Sequence, residues 1–259
     1  MNYRLSLVIP VYNEVGNILP LVKAIAEKRS QPLICPYELV LVNNGSYDES
    51  AKELEQARQD QSWIRIITLN KNVGYGGGIQ KGLEAASSKA THIGWIPADR
   101  QYSIEDLQKV WDQTLKQPFA VHKGNRTVRM DGKQTRFVSS VYTGLTRRIL
   151  GVNIVDINGL PKIFPSSFIK QIDFPLSHTF TLDGQLMLAA KLKKFPIFEH
   201  PVTFYARRAG VSSWSSKRLK VYRETIAELF RMRFNSKDWF KSERKSVSAR
   251  DKTSQALSS

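Results

Sequence analysis

Apolar positions along the chain fall into short runs that alternate with stretches of helical spacing. Leu5–Pro10 is an apolar run ended by proline, and from Val15 to Lys28 the residues Ile18, Leu21, Val22 and Ile25 repeat at the period of one helical face. The alternation continues with a strand over Tyr37–Val42, a helix over Glu49–Gln59, a strand over Ile64–Leu69, a helix over Gly76–Ser87 and a strand over His92–Ile96. A helix follows over Ser103–Gln117, with Ser103 as its N-cap and Asp106 three residues on. Strands separated by helices of this length make βαβ units, so the chain predicts a mostly parallel sheet with ligands at the strands' carboxyl ends.

Beyond Phe119 the pattern loosens. The basic, polar stretch Lys123–Arg136 reads as a loop and a candidate mobile segment. Helices resume over Phe137–Leu150 and Leu182–Leu192, and a strand is expected over Phe195–Val202. From Lys217, Leu219, Tyr222, Ile226 and Leu229 form an apolar stripe, with Lys217, Lys220, Arg223 and Arg231 falling largely elsewhere on the helix. The expected organisation is a domain over 1–214, a basic amphipathic helix over 215–240 and a disordered basic tail over 241–259, with no internal repeat.

Composition narrows the partners. The 259 residues carry a formal net charge of +16, which favours anionic ligands or surfaces. Residues 207–245 hold twelve Lys/Arg against four Asp/Glu, a net +8 and half of the excess. Aromatic residues that could stack on bases are sparse in that stretch, so nucleic acid ranks low as a partner. Cys35, the single cysteine, excludes an internal disulfide and a multi-cysteine metal site. No signal-peptide pattern and no run of about eighteen apolar residues is present, so the expectation is a soluble or peripheral cytoplasmic protein.

Candidate chemistry gathers at the strand ends. Tyr12, in Val8–Glu14, offers a ring face for a base, although an ordinary turn accounts for this segment equally well. Asn43 and Asn44 can pair with the edge of a nucleobase or simply shape a turn with Gly45 and Asp48. The glycines from Gly74 to Gly78 open a helix, where they admit either a ligand or close helix–sheet packing. A dinucleotide fingerprint fits them poorly, because they follow the third strand and lack glycine at the last fingerprint position. Asp99 and Gln101, beyond the fourth strand, are oxygen donors suited to Mg²⁺ or Mn²⁺, or turn formers.

Together these segments resemble the family 2 glycosyltransferases, especially the polyprenyl- and dolichyl-phosphate sugar transferases. The resemblance is carried, in order, by VIPVYNE (8–14), NNGSYDES (43–50), NVGYGGGIQKG (72–82), PADRQ (97–101), GNR (124–126), DINGLPKIF (156–164), LDGQLMLAA (182–190) and HPVTFYARRAGVSSW (200–214). It implies a GT-A fold: an α/β, Rossmann-like, mostly parallel central sheet flanked by helices, here with a C-terminal basic amphipathic helix. It further implies an inverting hexosyltransferase that moves a sugar from a UDP- or GDP-linked donor to polyprenyl phosphate or a lipid-linked glycan, at the inner face of a membrane.

By the same resemblance Pro10, Tyr12, Glu14, Asn43, Asn44, Gly74, Lys81, Ala98 and Asp99 would contact the donor. Asp99 and Gln101 would hold Mg²⁺ or Mn²⁺, and Arg126, Arg136, Ser140 and Arg207 would hold phosphate groups. Asp183 would stand with Asp99 in catalysis, at the position where many members deprotonate a hydroxyl acceptor. Two departures are plain: Asn43 and Asn44 replace an acidic pair, and Pro97 replaces the first aspartate of the Asp-Ala-Asp-x-Gln metal motif. They motivate an alternative, a catalytically weak or silent nucleotide-sugar-binding subunit. An anionic membrane surface and a membrane protein complete the expected partners.

Overall fold

The computed structural model describes residues 3–29, 36–59, 61–207 and 224–234. Its elements run β1 (Leu5–Val11), α1 (Ile18–Arg29), β2 (Pro36–Asn43), α2 (Ser50–Arg58), β3 (Ile64–Thr68), α3 (Gly74–Ala85), β4 (His92–Trp95), α4 (Ile104–Lys116), β5 (Val121–Arg129), α5 (Lys133–Leu150), β6 (Lys162–Pro165), α6 (Ser166–Ile169), α7 (Thr181–Leu192) and β7 (Ile197–Phe204). Residues 224–234 form a further helix. Cys35, most of the predicted C-terminal helix and the tail over 241–259 lie outside the described residues.

One seven-stranded sheet has the order β3-β2-β1-β4-β6-β5-β7. Strands β1 to β4 pair in parallel, β6 is antiparallel to β4 and β5, and β7 is parallel to β5. The apolar run of β1 is buried almost throughout, as a central strand covered by helices on both faces requires. Register brings Val11 beside Asn43 and Asn43 beside Thr68, so the first three strands end level and their exit loops share one edge. Asn44 N–H donates to the Val11 carbonyl at 2.8 Å and Ile96 N–H to that of Val8 at 3.2 Å, which extends the alignment past the strands.

Local signals explain the helix boundaries here. The Ser103 hydroxyl accepts from Asp106 N–H at 3.0 Å, the predicted N-cap, while the Asp106 carboxylate accepts from Thr203 N–H at 3.0 Å and ties α4 to β7. The glycines of α3 serve packing. A Cβ at Gly82 would lie 2.1 Å from Val8 Cγ1, and one at Gly76 would lie 2.1 Å from the Ser177 carbonyl oxygen. Both neighbours are fixed parts of the core or backbone, so the helix seats on the sheet and against the segment before α7 only with glycine there.

The loop predicted over Lys123–Arg136 is corrected: residues up to Arg129 are strand β5 and those from Lys133 begin α5. Its polar residues concealed a strand because their partners are distant in sequence. The buried Lys123 ammonium donates to the carbonyl of Gly124 at 2.7 Å and to Glu199 at 3.1 Å, so β5 satisfies its charges across the sheet. Burial pushes this lysine down to about 8. Strand β6, only four residues long, had no place in the sequence reading either.

Histidines on β4, β5 and β7 are expected to make the sheet acid-sensitive. His122 Nδ1 and His200 Nε2 lie 2.9 Å apart with their rings stacked, and His92 contacts the Pro118 carbonyl at 2.8 Å. Burial lowers all three below their usual value of 6.5, and His122 and Lys123 help push His200 to about 4. Folded-state values below the unfolded ones mean stability complete above about 6.5 and lost as pH falls toward 4. The thermal midpoint should therefore fall by several degrees between these values, and His200→Gln should flatten the slope. Scanning calorimetry across that range checks both.

Candidate active site

The loops after β1 and β2 meet at the shared edge of the sheet and are fastened to one another. Asn13 N–H donates to the Ser46 hydroxyl at 3.1 Å, Tyr47 N–H to the Asn13 side chain at 3.0 Å, and Glu14 N–H to the Ser50 hydroxyl at 2.9 Å. The Tyr12 and Tyr47 rings meet edge to face at 6.1 Å. Asn43 accepts from Ser46 N–H at 3.0 Å. Its buried neighbour Asn44 accepts from Val73 N–H at 3.0 Å and donates to the Gly74 carbonyl at 3.0 Å, bracing the entrance to α3. Of the two amides, Asn44 is thus committed to the fold.

Arg207, just beyond β7, joins this edge to a cavity. Its guanidinium donates through Nη2 to Glu14 and lies 3.9 Å from the Asp99 carboxylate through Nη1. Glu14 also accepts from the Asn17 amide at 2.9 Å. Asp99 Oδ1 accepts from Gln101 N–H at 3.1 Å, and the Gln101 amide donates to the Tyr205 carbonyl at 2.9 Å. Burial raises Asp99 to about 6, against the pull of the Gln101 N–H and Arg207.

The cavity has a volume of about 320 Å³. Asp99 and Gln101 line it from the loop after β4, Arg126 and Arg129 from β5 with Asp131 just beyond it, and Val138, Ser139 and Tyr142 from α5. Arg126 is held in a bidentate pair by Asp156, with both contacts at 2.7 Å, and donates to the Ser139 hydroxyl at 2.9 Å. Burial alone would raise Asp156, yet Arg126 outweighs it and holds the carboxyl far below the usual range. Arg129 pairs with Asp131 at 3.1 and 2.5 Å. Both guanidinium groups lie over Phe204, at 5.1 Å for Arg126 and 5.7 Å for Arg129.

Opposite them, Tyr75 stacks on Phe180 with centroids 4.6 Å apart and donates to Asp183 at 3.3 Å. Burial raises the Tyr75 hydroxyl well above its usual value, and the nearby Asp183 carboxylate adds to this. Asp183 also forms a fully buried ion pair with Lys162 at 2.7 Å. Burial pulls the Lys162 ammonium down, and Asp183 opposes that shift.

The sequence-predicted residues are therefore unequally placed. Asp99, Gln101, Arg126, Asp183 and Arg207 converge on the cavity. Tyr12, Glu14 and Asn43 stand at the adjoining edge, Pro10 lies in β1 opposite Val42, and Ala98 is buried. Lys81 points elsewhere and pairs with Glu84 at 2.7 Å, and Gly74 packs against His178. Arg136 donates to the Arg129 carbonyl and so braces the arginine that faces the cavity. Ser140 is exposed, while Ser139 turns inward to Arg126.

Sequence reasoning missed Arg129. A register shift between Arg126 and Val128 inserts a residue into β5, so that Arg126 and Arg129 reach the same ring despite their odd spacing. No local pattern announces such a bulge. Lys162 had a signal, the sequence DINGLPKIF, without any hint of its partner.

Comparison with known proteins agrees with this architecture. Glucosyl-3-phosphoglycerate synthase from Mycobacterium tuberculosis, crystallised with uridine diphosphate, superposes with a TM-score of 0.69 at 16% identity, over 90% of this chain and 80% of that one. That likeness defines the fold class as GT-A. The profile described as Glycosyl transferase family 2 matches residues 6–182, and the chain belongs to that family. Among its relatives is a dodecaprenyl-phosphate galacturonate synthase of Rhizobium johnstonii, 29% identical over 90% of this chain and 69% of the relative. Another is an undecaprenyl-phosphate 4-deoxy-4-formamido-L-arabinose transferase of Pseudomonas fluorescens, 28% identical over 83% of this chain and 61% of the relative. The chain spans between half and about two thirds of the length of such relatives.

Proposed function

We propose that this glycosyltransferase moves a sugar, with inversion, from a nucleotide-sugar to the phosphate of a polyprenyl phosphate. One observation supports this reading most: Arg207 links Glu14, on the edge where the loops of β1 and β2 meet, to Asp99 in the cavity walled by Arg126 and Arg129. A donor diphosphate at that edge would place its sugar at the mouth of the cavity, facing an acceptor held by arginine. Planar guanidinium forks suit phosphate oxygens, and their carboxylate partners fix their orientation in advance.

A phosphate acceptor is already an anion, so its oxygen attacks the anomeric carbon without a strong base. The C–O bond to the diphosphate breaks as the new C–O bond forms on the opposite face. This fits an Asp183 engaged by Lys162 and Tyr75 rather than open to a substrate hydroxyl.

The donor set fits a hard divalent cation held largely through the diphosphate: one carboxylate, Asp99, in a cavity that Gln101 also lines. Among the described residues no group of three His, Cys, Asp or Glu could hold a metal alone. When bound, Mg²⁺ or Mn²⁺ would neutralise charge on the leaving diphosphate. Arg207 supplies positive charge at the same place from the chain itself.

Among the described residues no helix is long and apolar enough to cross a membrane. A lipid-linked acceptor calls for contact with a membrane surface, at the cytoplasmic face if the donor is a cytoplasmic nucleotide-sugar. The cationic 207–245 segment favours it, since each basic residue near anionic lipid contributes about 1 kcal/mol.

The test is a thermal-shift screen of UDP- and GDP-sugars with Mn²⁺, joined to a transfer assay with a short polyprenyl phosphate and its matching alcohol. One donor should raise the melting temperature, and product should form from the phosphate alone. Absence of any donor shift overturns the reading. Binding without turnover across acceptors would favour the silent subunit that Pro97 motivates.

A further inference from the structure

Among the described residues thirteen large hydrophobic side chains are exposed, and six of them sit on the three segments that wall the cavity. Val128 and Met130 are at the end of β5, exposed by 50% and 53%. Phe137 and Val141, at 70% and 45%, lie one turn apart on the outer face of α5. Phe230 and Phe234, at 48% and 73%, are on the helix over 224–234, whose Thr225 lines the same cavity. That helix lies close to α5, because a Cβ at Gly184 would meet both Thr146 of α5 and Leu229.

Charge follows the same pattern. Helix α5 carries Lys133, Arg136, Arg147 and Arg148 and no acidic residue in eighteen. All four cations are exposed: Lys133 and Arg148 share the stripe of Phe137 and Val141, while Arg136, which donates to the Arg129 carbonyl, and Arg147, which donates to Asn153, lie to one side of it. The inner face, with Val138, Ser139 and Tyr142, is cavity wall. The helix over 224–234 adds exposed Arg231 and Arg233 beside its two phenylalanines, with Glu224 exposed at its other end and Glu228 engaged by Thr179 and Thr181. On α5, apolar residues flanked by cations match an anionic bilayer, where aromatic side chains enter the acyl boundary and lysine and arginine stay with the headgroups.

We propose that the outer face of α5, with Val128, Met130, Phe230 and Phe234, docks on an anionic membrane and sets the cavity rim against it. A lipid phosphate would then reach Arg126 and Arg129 without leaving the bilayer. The proposal deepens the polyprenyl-phosphate reading and rests on it for the identity of that lipid.

Flotation of the whole chain with phosphatidylcholine vesicles, alone or mixed with phosphatidylglycerol, tests it. The protein should float with the anionic vesicles at low salt and much less with neutral ones. Phe137→Glu combined with Val141→Glu should lower that binding by at least about tenfold. The melting temperature should stay unchanged, because both positions are exposed. Arg147→Gln with Arg148→Gln should weaken binding and its salt dependence. Phe119→Glu is the control: that residue is also exposed but precedes β5, at the opposite end of the strand from Arg129, and it should have no effect.

Failure to float with anionic vesicles, or undiminished binding by the Phe137/Val141 variant, overturns the proposal. So does an equal loss with Phe119→Glu. If the wild type proves to be a dimer that the Phe137/Val141 variant splits, the face is a self-association surface instead. Donor binding in the thermal-shift screen reports separately on the transferase reading, so the two can fail independently.

Discussion

Replacing Lys162 by methionine is expected to cost about 3–5 kcal/mol of stability, because it strands a buried carboxylate without its partner. Lys162 has no exposed surface and Asp183 has 1%, and they pair at 2.7 Å. Asp183→Asn should be comparably harmful, as it leaves the ammonium uncompensated. The combination Lys162→Met with Asp183→Leu should recover most of the loss, since a buried ion pair repays little beyond its own desolvation. Urea denaturation of the four proteins checks this, and additive losses in the double variant would contradict it.

The same variants bear on the acceptor. A general base typically contributes 10²–10⁴-fold, so Asp183→Asn, assayed where it remains folded, would lose that much if Asp183 deprotonated a hydroxyl. With a phosphate acceptor the loss should stay within about tenfold, far short of a missing base.

Asp99→Asn is expected to lower transfer by about 10²–10³-fold, the range for removing one group that stabilises developing charge. Asp99 is the carboxylate nearest to Arg207 on the cavity side, at 3.9 Å, and Pro97 leaves no second aspartate in its motif to share the work. Asparagine preserves the acceptor oxygen for the Gln101 N–H, so the fold should persist and circular dichroism should be unchanged. Manganese titration in the presence of nucleoside diphosphate gives the second readout: affinity should fall in the variant. Undiminished transfer would remove Asp99 from the machinery.

How much of this was readable beforehand follows from where each interaction is made. Strands β1 to β4 and helices α1 to α4 were legible, because each buries an apolar run or stripe whose period is written locally. Ser103 at the start of α4 was legible for the same reason, its partner being three residues away. The order of the strand-end motifs pointed to the fold and to Asp99, Gln101, Arg126 and Arg207, which the structure brings to one cavity. The glycines after β3 were ambiguous, and only the closeness of Val8 and Ser177 showed them to be packing residues.

By itself, then, the sequence determined the parallel half of the sheet and the edge at which chemistry could occur. Tertiary structure alone decided that Lys123–Arg129 is a strand, that a bulge turns Arg129 toward Phe204, that Ser139 rather than Ser140 faces inward, and that Asp183 belongs to Lys162. The physical reason is the same in each case. The deciding contact is made with a residue from another element, and no period or spacing in the local segment records where that residue will stand.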